Sequence, residues 1–437
     1  MFFRVLRIAA IAALSGVTAT ARAAPSVEEP SVEPAGTGQE RGGAASSDPD
    51  VEKGAGELEE LGDPTGPAES EDPSEPGESS ESSESTKDEP AEDRRTVVAH
   101  HLRSEHRGRA SSVVRRRDIE ERLPRSAPDA LRYEPGVYVQ QTAHSQGSPY
   151  VRGLTGQQTI MMFDGIRLNN STFRQGPNQY FFTIDSRTIQ RLEVVRGAAS
   201  TRYGSDAMGG ALLTTPIQPA MAEGERAWTV KPRMSLRSGT ADGELGGRAQ
   251  LELGYKGKLG FIGGVGYRDV GQLKTAGPIL SPTTGEPVRS PRFGDDGVTQ
   301  LGTGFRELTA DARLVWQQSE RLRLTLGYYD YRQFDAPRTD KCPPATAPES
   351  ECLTYDEQFR TLVYGAVDLR GRHGLAETAR FTLSYQKQHE RRSHERPTTF
   401  TRNDGRDDVY TLGLSGRLAT RRLAPTPWLR LRALYGG

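Results

Sequence analysis

Three histidines are the side chains of this sequence best suited to hold a metal ion or a haem iron, because neutral imidazole is a common ligand for both. They are His144, together with His389 and His394, which we expect in an external loop. They follow no metal-ligand spacing, so isolated surface histidines are the alternative interpretation. No nucleophile–base arrangement, phosphate-binding glycine loop or metal-binding motif accompanies them. The sequence therefore predicts a protein that is not an enzyme and that carries no resident metal or other cofactor.

The first 93 residues divide into two segments of opposite character. Two arginines, an uncharged apolar run and the small-residue pattern Ala21-Arg22-Ala23 give residues 1–23 the form of a secretory signal peptide, with a short buried helix as the alternative. Residues 24–93 contain 22 acidic and 3 basic residues and no aromatic residue. Such a segment cannot bury enough apolar surface to fold, so we expect a disordered acidic linker. Binding of a basic partner or of divalent cations is the alternative role.

Short strand-like and helix-like segments occupy residues 94–220, which predicts a compact α+β domain. Asp164 and Gly165 directly follow one of the strand-like runs and form a strong signal for a two-residue hairpin. Residues 96–99 form a further extended apolar segment. The strand-like runs are 137–140, 150–152, 160–163 and 192–195.

Residues 221–437 show the period-2 alternation of β-strands with one apolar face. Leu322, Leu324 and Leu326, for example, alternate with polar residues, so Leu324 is expected to face lipid and Arg323 to face inward. After the first one, the connections alternate strictly between short and long, and aromatic residues cluster near the strand ends. These features predict an antiparallel transmembrane β-barrel, with a soluble β-sandwich as the alternative. The nine predicted strands are 228–238, 246–255, 259–269, 305–317, 321–332, 357–370, 376–389, 407–419 and 427–435.

Five short motifs of the α+β domain, taken in order, resemble the plug domain of TonB-dependent outer-membrane receptors. They are residues 131–137 (LRYEPGV), 151–153 (VRG), 163–170 (FDGIRLNN), 189–200 (IQRLEVVRGAAS) and 203–210 (YGSDAMGG). Ala198 stands where the family usually has proline, and residues 211–213 (ALL) replace the usual Val-Ile-Asn. The motif residues are Pro135, Gly136, Arg152, Gly153, Asp164, Gly165, Glu193, Arg196, Gly197, Tyr203, Gly204, Gly209 and Gly210.

The resemblance implies a plug domain inside a barrel of about 22 strands, which is the size of barrel whose lumen holds a plug. It also implies that Arg152 and Arg196, joined by Glu193, pair with barrel carboxylates and lock the plug in place. Ordinary surface arginines are the alternative. The resemblance assigns the TonB box, the segment that the TonB protein binds, to residues 96–99. An extended segment of this kind can add to the sheet edge of a partner, and a buried plug strand is the alternative. The box residues are Thr96, Val97, Val98 and Ala99.

The function that the resemblance implies is active uptake of a scarce, bulky nutrient across the outer membrane of a Gram-negative bacterium. The expected partners are the TonB energy-coupling protein with its proton-driven inner-membrane complex, outer-membrane lipids and an external ligand, but no nucleic acid. A ferric siderophore or haem is the expected ligand, with cobalamin and glycans as further candidates. Residues 172–180 resemble the haem receptor branch. An adhesin-type barrel without uptake is the alternative function.

Two further expectations concern the outer side of the barrel and its closure. Cys342 and Cys352 lie in one predicted external loop, where a disulfide is favoured over two free thiols because exported proteins meet an oxidising environment. Nine strands cannot enclose a plug, and they leave two sheet edges unpaired in lipid. We therefore expect about thirteen further strands downstream in the gene, or a truncated product that does not transport.

Overall fold

The computed structural model describes residues 110–170, 180–222, 227–288, 292–342, 351–371, 376–396, 399–421, 423–426 and 429–437. The predicted signal peptide, the acidic linker, the predicted TonB box at Thr96, Val97, Val98 and Ala99, and all of the 172–180 segment except Tyr180 lie outside the described residues.

The first part of the described chain, residues 110–222, forms a small α+β domain. Its main sheet has five strands in the order β1-β6-β7-β4-β5, and β4 and β7 run parallel while the other pairs are antiparallel. A separate hairpin joins β2 to β3. The elements are β1 (Ser111–Arg115), α1 (Arg116–Arg122), β2 (Val137–Gln140), β3 (Ser148–Val151), β4 (Thr159–Phe163), β5 (Ile166–Arg167), β6 (Ile189–Arg196), α2 (Ser200–Tyr203) and β7 (Gly210–Pro216), with short 3-10 turns at Asp129–Leu131, Gly156–Gln158, Phe181–Thr183 and Ser186–Thr188.

The hairpin expected at Asp164 and Gly165 is present. Both residues have positive φ, 51° and 82°, which is the backbone of the two-residue turn whose twist matches paired strands. Phe163 and Ile166 face each other across the turn. The turn brings the Asp164 carboxylate to the end of β4, at the border of the small domain.

The second part of the chain forms a nine-stranded antiparallel sheet in the order β20-β17-β16-β15-β14-β13-β10-β9-β8. The prediction of nine antiparallel strands is therefore confirmed. The strands of this sheet are β8 (Trp228–Ser238), β9 (Leu245–Tyr255), β10 (Leu259–Val270), β13 (Phe305–Gln317), β14 (Leu322–Pro337), β15 (Cys352–Arg370), β16 (Ala376–Arg396), β17 (Thr401–Thr420) and β20 (Leu434–Gly436); two small hairpins pair β11 (Leu273–Lys274) with β12 (Thr299–Gln300) and β18 (Leu423–Thr426) with β19 (Leu429–Leu431).

Several strand boundaries differ from the prediction, and β14 ends at Pro337 and not at residue 332. Strands β15, β16 and β17 continue past their predicted ends, so the long loop expected at 390–406 is only the short connection between Arg396 and Thr401. The strand expected at 427–435 divides into β19 and β20. The extensions are rich in charged residues that pair across the strands, such as Arg391 with Glu357 at 2.9 Å. Polar residues on both faces hide the alternation that identifies a strand.

The two faces of the large sheet have opposite chemistry. In β16, Thr382, Ser384 and Gln386 are buried, whereas Phe381, Leu383 and Tyr385 are exposed. In β9 the buried residues are Arg248, Gln250 and Glu252. A soluble protein buries its apolar face, so an exposed apolar face opposite a buried polar face is the arrangement of transmembrane strands around a lumen. We call these the outward and inward faces. Among the described residues, no helix is long and apolar enough to cross a membrane.

The small domain packs against the inward face. Tyr329 and Tyr331 of β14 are buried against its aromatic residues, with ring centroids 5.4 Å apart for Phe163 and Tyr329 and 6.3 Å apart for Phe182 and Tyr331. Gly266 of β10 lies at this interface. A Cβ atom on Gly266 would lie 2.9 Å from a guanidinium nitrogen of Arg187, so glycine leaves room for this side chain.

Candidate functional site

The connections of the large sheet define two ends. The turn at 256–258 and the connections at 318–321 and 371–375 lie at one end, which we call the short-turn end. The connections at 239–244, 271–304 and 338–351 lie at the other, the long-loop end. Three groups of polar contacts, with further hydrogen bonds beside them, join the small domain to strands β13 to β16 and to the long-loop connections.

The first contact is centred on Asp164, whose side chain is almost fully buried. Its Oδ2 accepts from Nη1 of Arg313 in β13 at 2.8 Å and lies 3.1 Å from Nη2 of Arg380 in β16. The Tyr364 hydroxyl in β15 donates to the same oxygen at 2.9 Å. Burial alone would raise the pKa of Asp164, but the two arginines outweigh it and lower the pKa to about 2. One carboxylate therefore ties the turn of the small domain to three strands.

The second contact is built on Asp185 and Arg187. Nε of Arg187 donates to Asp185 at 2.9 Å, and its Nη2 donates to Glu307 of β13 at 3.1 Å. The Thr309 hydroxyl donates to Asp185 at 3.0 Å, and the Asp185 amide donates to the Tyr329 hydroxyl at 2.7 Å. Burial works to raise the pKa of Asp185, but Arg187 holds it well below its usual range. The ion pair that crosses the interface here is Arg187 with Glu307, and the two hydrogen bonds of Asp185 accompany it.

The third contact is made by residues 141–147 at the long-loop end. Nε2 of His144 lies 3.3 Å from Asp242, in the connection between β8 and β9, but without hydrogen-bond geometry. Gln146 donates to Gln358 of β15 at 2.8 Å, and the Asp340 amide donates to the Thr142 carbonyl at 3.3 Å. This segment therefore touches two of the long-loop connections.

A disulfide closes part of one of these connections, the one at 338–351. It links Cys342 to Cys352, the first residue of β15. The Cys342 amide also donates to the Arg338 carbonyl at 2.7 Å. The disulfide lies two residues from Asp340, which contacts the small domain, so it restrains the connection at this contact.

The arginines expected to lock the small domain are paired differently in the described residues. The Arg152 side chain is exposed. Arg196 donates to Ser112 at 2.7 Å and to the Pro135 carbonyl, and it lies 3.9 Å from Glu134, so its partners belong to its own domain.

Glu193 likewise pairs within the domain, with Arg191 at 2.6 Å. Arg196 ends β6 beside Gly210, far along the strand from Ile189 and Arg187, which lie near the large sheet. The carboxylates at the interface are instead Asp164 and Asp185 on the small domain, and the arginines include Arg313 and Arg380 on the sheet.

The glycine and aromatic residues of the motifs serve the backbone and core of the small domain. Gly136, Gly153, Gly197, Gly204 and Gly210 have positive φ. A Cβ atom on Gly209 would lie 2.6 Å from Cβ of Leu154. Tyr203 is buried with Ile160 and Val195. These motifs therefore identify a fold rather than a ligand site.

The structure does not bring the three histidines together. His389 and His394 lie in β16 and not in an external loop, because that strand extends past its predicted end. Both ring nitrogens of His389 have carboxylate partners, Asp408 at 2.8 Å and Glu357 at 3.1 Å, and Nε2 of His394 contacts Glu351 at 2.7 Å. His144 is buried in the third contact.

A cavity of about 260 Å³ opens in the small domain beside the long-loop end. Arg125 pairs with Asp242 at 3.3 Å, and the Leu123 and Pro124 carbonyls accept from Arg237 near the end of β8. These contacts fix the position of the cavity relative to the large sheet. The guanidinium groups lie over more deeply buried carboxylates, so the exposed charge is positive. The cavity is lined by Arg122, Pro124, Arg125, Asp129, Arg132, Tyr133 and Gln141.

Acidification should release the third contact. Burial and the nearby Arg125 lower the pKa of His144 from 6.5 to about 4. The unfolded segment then binds more protons than the docked one between these pH values, so stability falls as pH falls from about 6.5 to 4, by about 3 kcal/mol in total. Hydrogen exchange of residues 141–147 should show this loss in the wild type. At each pH, His144→Gln serves as the reference, and an equal pH dependence in that variant would contradict the assignment.

Three comparisons with known proteins agree with this architecture. Residues 105–211 match the family model of the TonB-dependent Receptor Plug Domain. Vitamin B12 transporter BtuB of Photobacterium profundum is 28% identical over 244 residues, which cover 55% of this chain and 35% of that protein. The same-named protein of Vibrio vulnificus is 28% identical over 188 residues, covering 42% and 27%.

Solved structures share the fold at lower sequence identity. The hemophore receptor HasR of Serratia marcescens, solved with its hemophore HasA and heme, superposes with a TM-score of 0.57 at 17% identity over 75% of this chain and 44% of that one. The ferric enterobactin receptor PfeA of Pseudomonas aeruginosa gives a TM-score of 0.56 at 18% identity over 76% and 49%. The chain therefore spans about a third of the length of the first curated relative and just under half of these receptor chains.

Proposed function

We propose, from the premise that this chain is a TonB-dependent receptor with a plug domain and barrel strands, that it serves the active uptake of a bulky metal chelate across the outer membrane. The observation that carries the proposal is the seating of the plug on the inward face by three polar contacts. In this proposal residues 1–23 direct export, residues 24–93 form a tether, and Thr96, Val97, Val98 and Ala99 bind the TonB protein.

The contacts at the plug interface suit a plug that must move when it is pulled. Asp164, Asp185 and Arg187 form ion pairs and hydrogen bonds with the sheet, and such groups recover water as partners when they separate. A wholly apolar interface would instead expose its buried area to water. Pulling from the periplasm can therefore open a path at a cost below that of unfolding the barrel.

The cavity at the long-loop end supports an anionic substrate. Arg122, Arg125 and Arg132 present guanidinium groups, which bind carboxylates and other anionic oxygens in a bidentate way. A ferric siderophore with anionic oxygen ligands, or haem with its carboxylates, fits this chemistry. Cobalamin is the second candidate, and the name of the curated relatives favours it.

The experiment that tests this function compares binding with uptake in cells that lack their own receptors. Cells carrying the intact receptor are grown on ferric siderophores, haem or cobalamin as the sole source, and surface binding of each is measured in parallel. Deleting Thr96 to Ala99 should abolish growth and leave surface binding unchanged, because the segment is proposed to bind TonB and not the ligand. Binding without growth in the wild type would favour an adhesin-type protein instead.

A further inference from the structure

The outward face of β14 to β17 changes from apolar to charged within a few residues. Cross-strand pairing aligns the residues in rows, because partners in an antiparallel register lie on the same face. The row Leu326, Gly365, Leu383 and Leu414 is apolar, and so is most of the next, Tyr328, Val363, Tyr385 and Leu412. The following rows are Asp330, Thr361, Lys387 and Tyr410, then Arg332, Phe359, His389 and Asp408, then Phe334, Glu357, Arg391 and Arg406.

The charges of these three rows, which we call the outward belt, are layered. Arg332, Arg391 and Arg406 have 44%, 53% and 68% of their side-chain surface exposed. Their carboxylate partners, Asp330, Glu357 and Asp408, have only 10%, 24% and 20%. The acids therefore lie beneath the bases, and the groups presented outward are cations.

The carboxylates also hold the guanidinium groups in place. Nε of Arg332 lies 2.8 Å from Asp330, and Nε of Arg406 lies 2.8 Å from Asp408. His389 bridges Asp408 and Glu357, so these two acids are connected, whereas Asp330 is held separately by Arg332 and Thr361. Each arginine still has donors free for an external oxygen, because its planar fork carries five N–H groups.

The position of the belt identifies its surroundings. It lies on the long-loop side of Tyr328 and Tyr385, and tyrosines on the outward face mark the border of the hydrocarbon. Successive outward residues are about 7 Å apart along a strand, so the belt spans the depth of lipid headgroups. It is continuous with the lipid-facing rows. At the level of the belt, β14, β15 and β16 are paired on both sides, whereas β17 is paired with β16 and meets β20 only at residues 417–419.

We propose that the outward belt binds the phosphate groups of glycolipids in the outer leaflet. Arginine matches phosphate in geometry and charge, and the three exposed guanidinium groups are fixed at the depth where those phosphates lie. This interaction anchors the external halves of β14 to β17 and is separate from the plug and from the long-loop cavity.

The test uses the intact receptor, purified in detergent and stripped of lipid, with bisphosphorylated lipid A as the probe. Dephosphorylated lipid A with the same acyl chains is the control ligand. The affinity should be at least about tenfold higher for the phosphorylated probe, and the double variant Arg391→Gln/Arg406→Gln should lose about this factor. Native mass spectrometry of the receptor–lipid complex measures both.

The exposed Arg321, next to a short turn, supplies the matched variant Arg321→Gln, which should retain the wild-type affinity. Heat-modifiable gel mobility establishes that each variant is folded, and Arg391→Lys/Arg406→Lys should keep part of the affinity if the double glutamine variant does not fold. Equal binding of the two lipids, or equal losses in the Arg321 and belt variants, would overturn the proposal. If inorganic phosphate alone bound as tightly as phosphorylated lipid A, the belt would be a site for free phosphate and not for the lipid.

Discussion

Replacing Asp164 with alanine is expected to lower the free energy of plug docking by about 3–5 kcal/mol, the usual cost of removing one partner from a buried ion pair. The carboxylate is shared by Arg313 and Arg380, both largely buried in the described structure, and each would lose its contact with it. The barrel strands keep their own backbone pairing, so the loss should be confined to the plug. Protease sensitivity and hydrogen exchange of residues 159–167 in the intact receptor measure it.

The control for this change is Asp206→Ala, because Asp206 pairs with Arg167 at a more exposed site of the same domain. An exposed pair contributes about 0–1 kcal/mol, so this variant should be close to wild type. The double variant Asp164→Asn/Arg313→Gln should recover part of the loss, since it removes charge from both sides. If the two alanine variants had equal effects, Asp164 would not hold the plug.

The Asp164 contribution should also resist acid. Its pKa is lowered from 3.8 to about 2, so the stabilisation is fully present above the unfolded pKa and is lost only as pH falls through about 2. The His144 contact fails at higher pH, between about 6.5 and 4. The long-loop end of the plug should therefore loosen first on acidification, while the Asp164 contact persists.

The alternation of apolar residues predicted the barrel strands well where one face contacts lipid. The predicted bounds of β9, β10 and β13 agree with the structure to within one residue, because each alternates over its full length. The alternation did not identify the parts of β15, β16 and β17 that lie nearest the long-loop end. Both faces there are polar, so strand pairing depends on contacts such as His389 with Asp408 that the alternation of hydrophobicity does not show.

The motifs located the plug domain but not the contacts that hold it. Asp164 was identified as a turn residue, and its position after β4 was correct. Its partners, Arg313 and Arg380, are far along the chain, and only the register of β13 and β16 places them at one carboxylate. Asp185 and Arg187 were not identified from the sequence, because their partners Glu307 and Thr309 are more than about 100 residues away along the chain. Sequence spacing cannot reveal such pairs without the register.

The inward and outward assignment can be tested most directly with a single charge. Leu326→Arg is expected to destabilise the barrel by about 1–2 kcal/mol, because it places a guanidinium on the lipid face inside the hydrocarbon, one outward residue from the border at Tyr328. Leu326 is 57% exposed on the outward face, and its neighbour Thr325 is buried on the inward face. Leu324, which the alternation places on the same face, is half-buried, so Leu326 is the sharper position.

The matched control is Leu245→Arg, the same substitution at a similarly exposed residue. Leu245 begins β9 at the long-loop end, where an arginine can reach the headgroups, so it should cost about 0–1 kcal/mol. Unfolding titrations of the intact receptor in lipid vesicles measure both. A hydrophobic substitution, Leu326→Met, should be nearly neutral and separates charge from packing. Equal effects of Leu326→Arg and Leu245→Arg would mean that the membrane depth or the outward orientation assigned to Leu326 is wrong. If Leu326 faced inward, the register of the whole strand would be shifted by one residue.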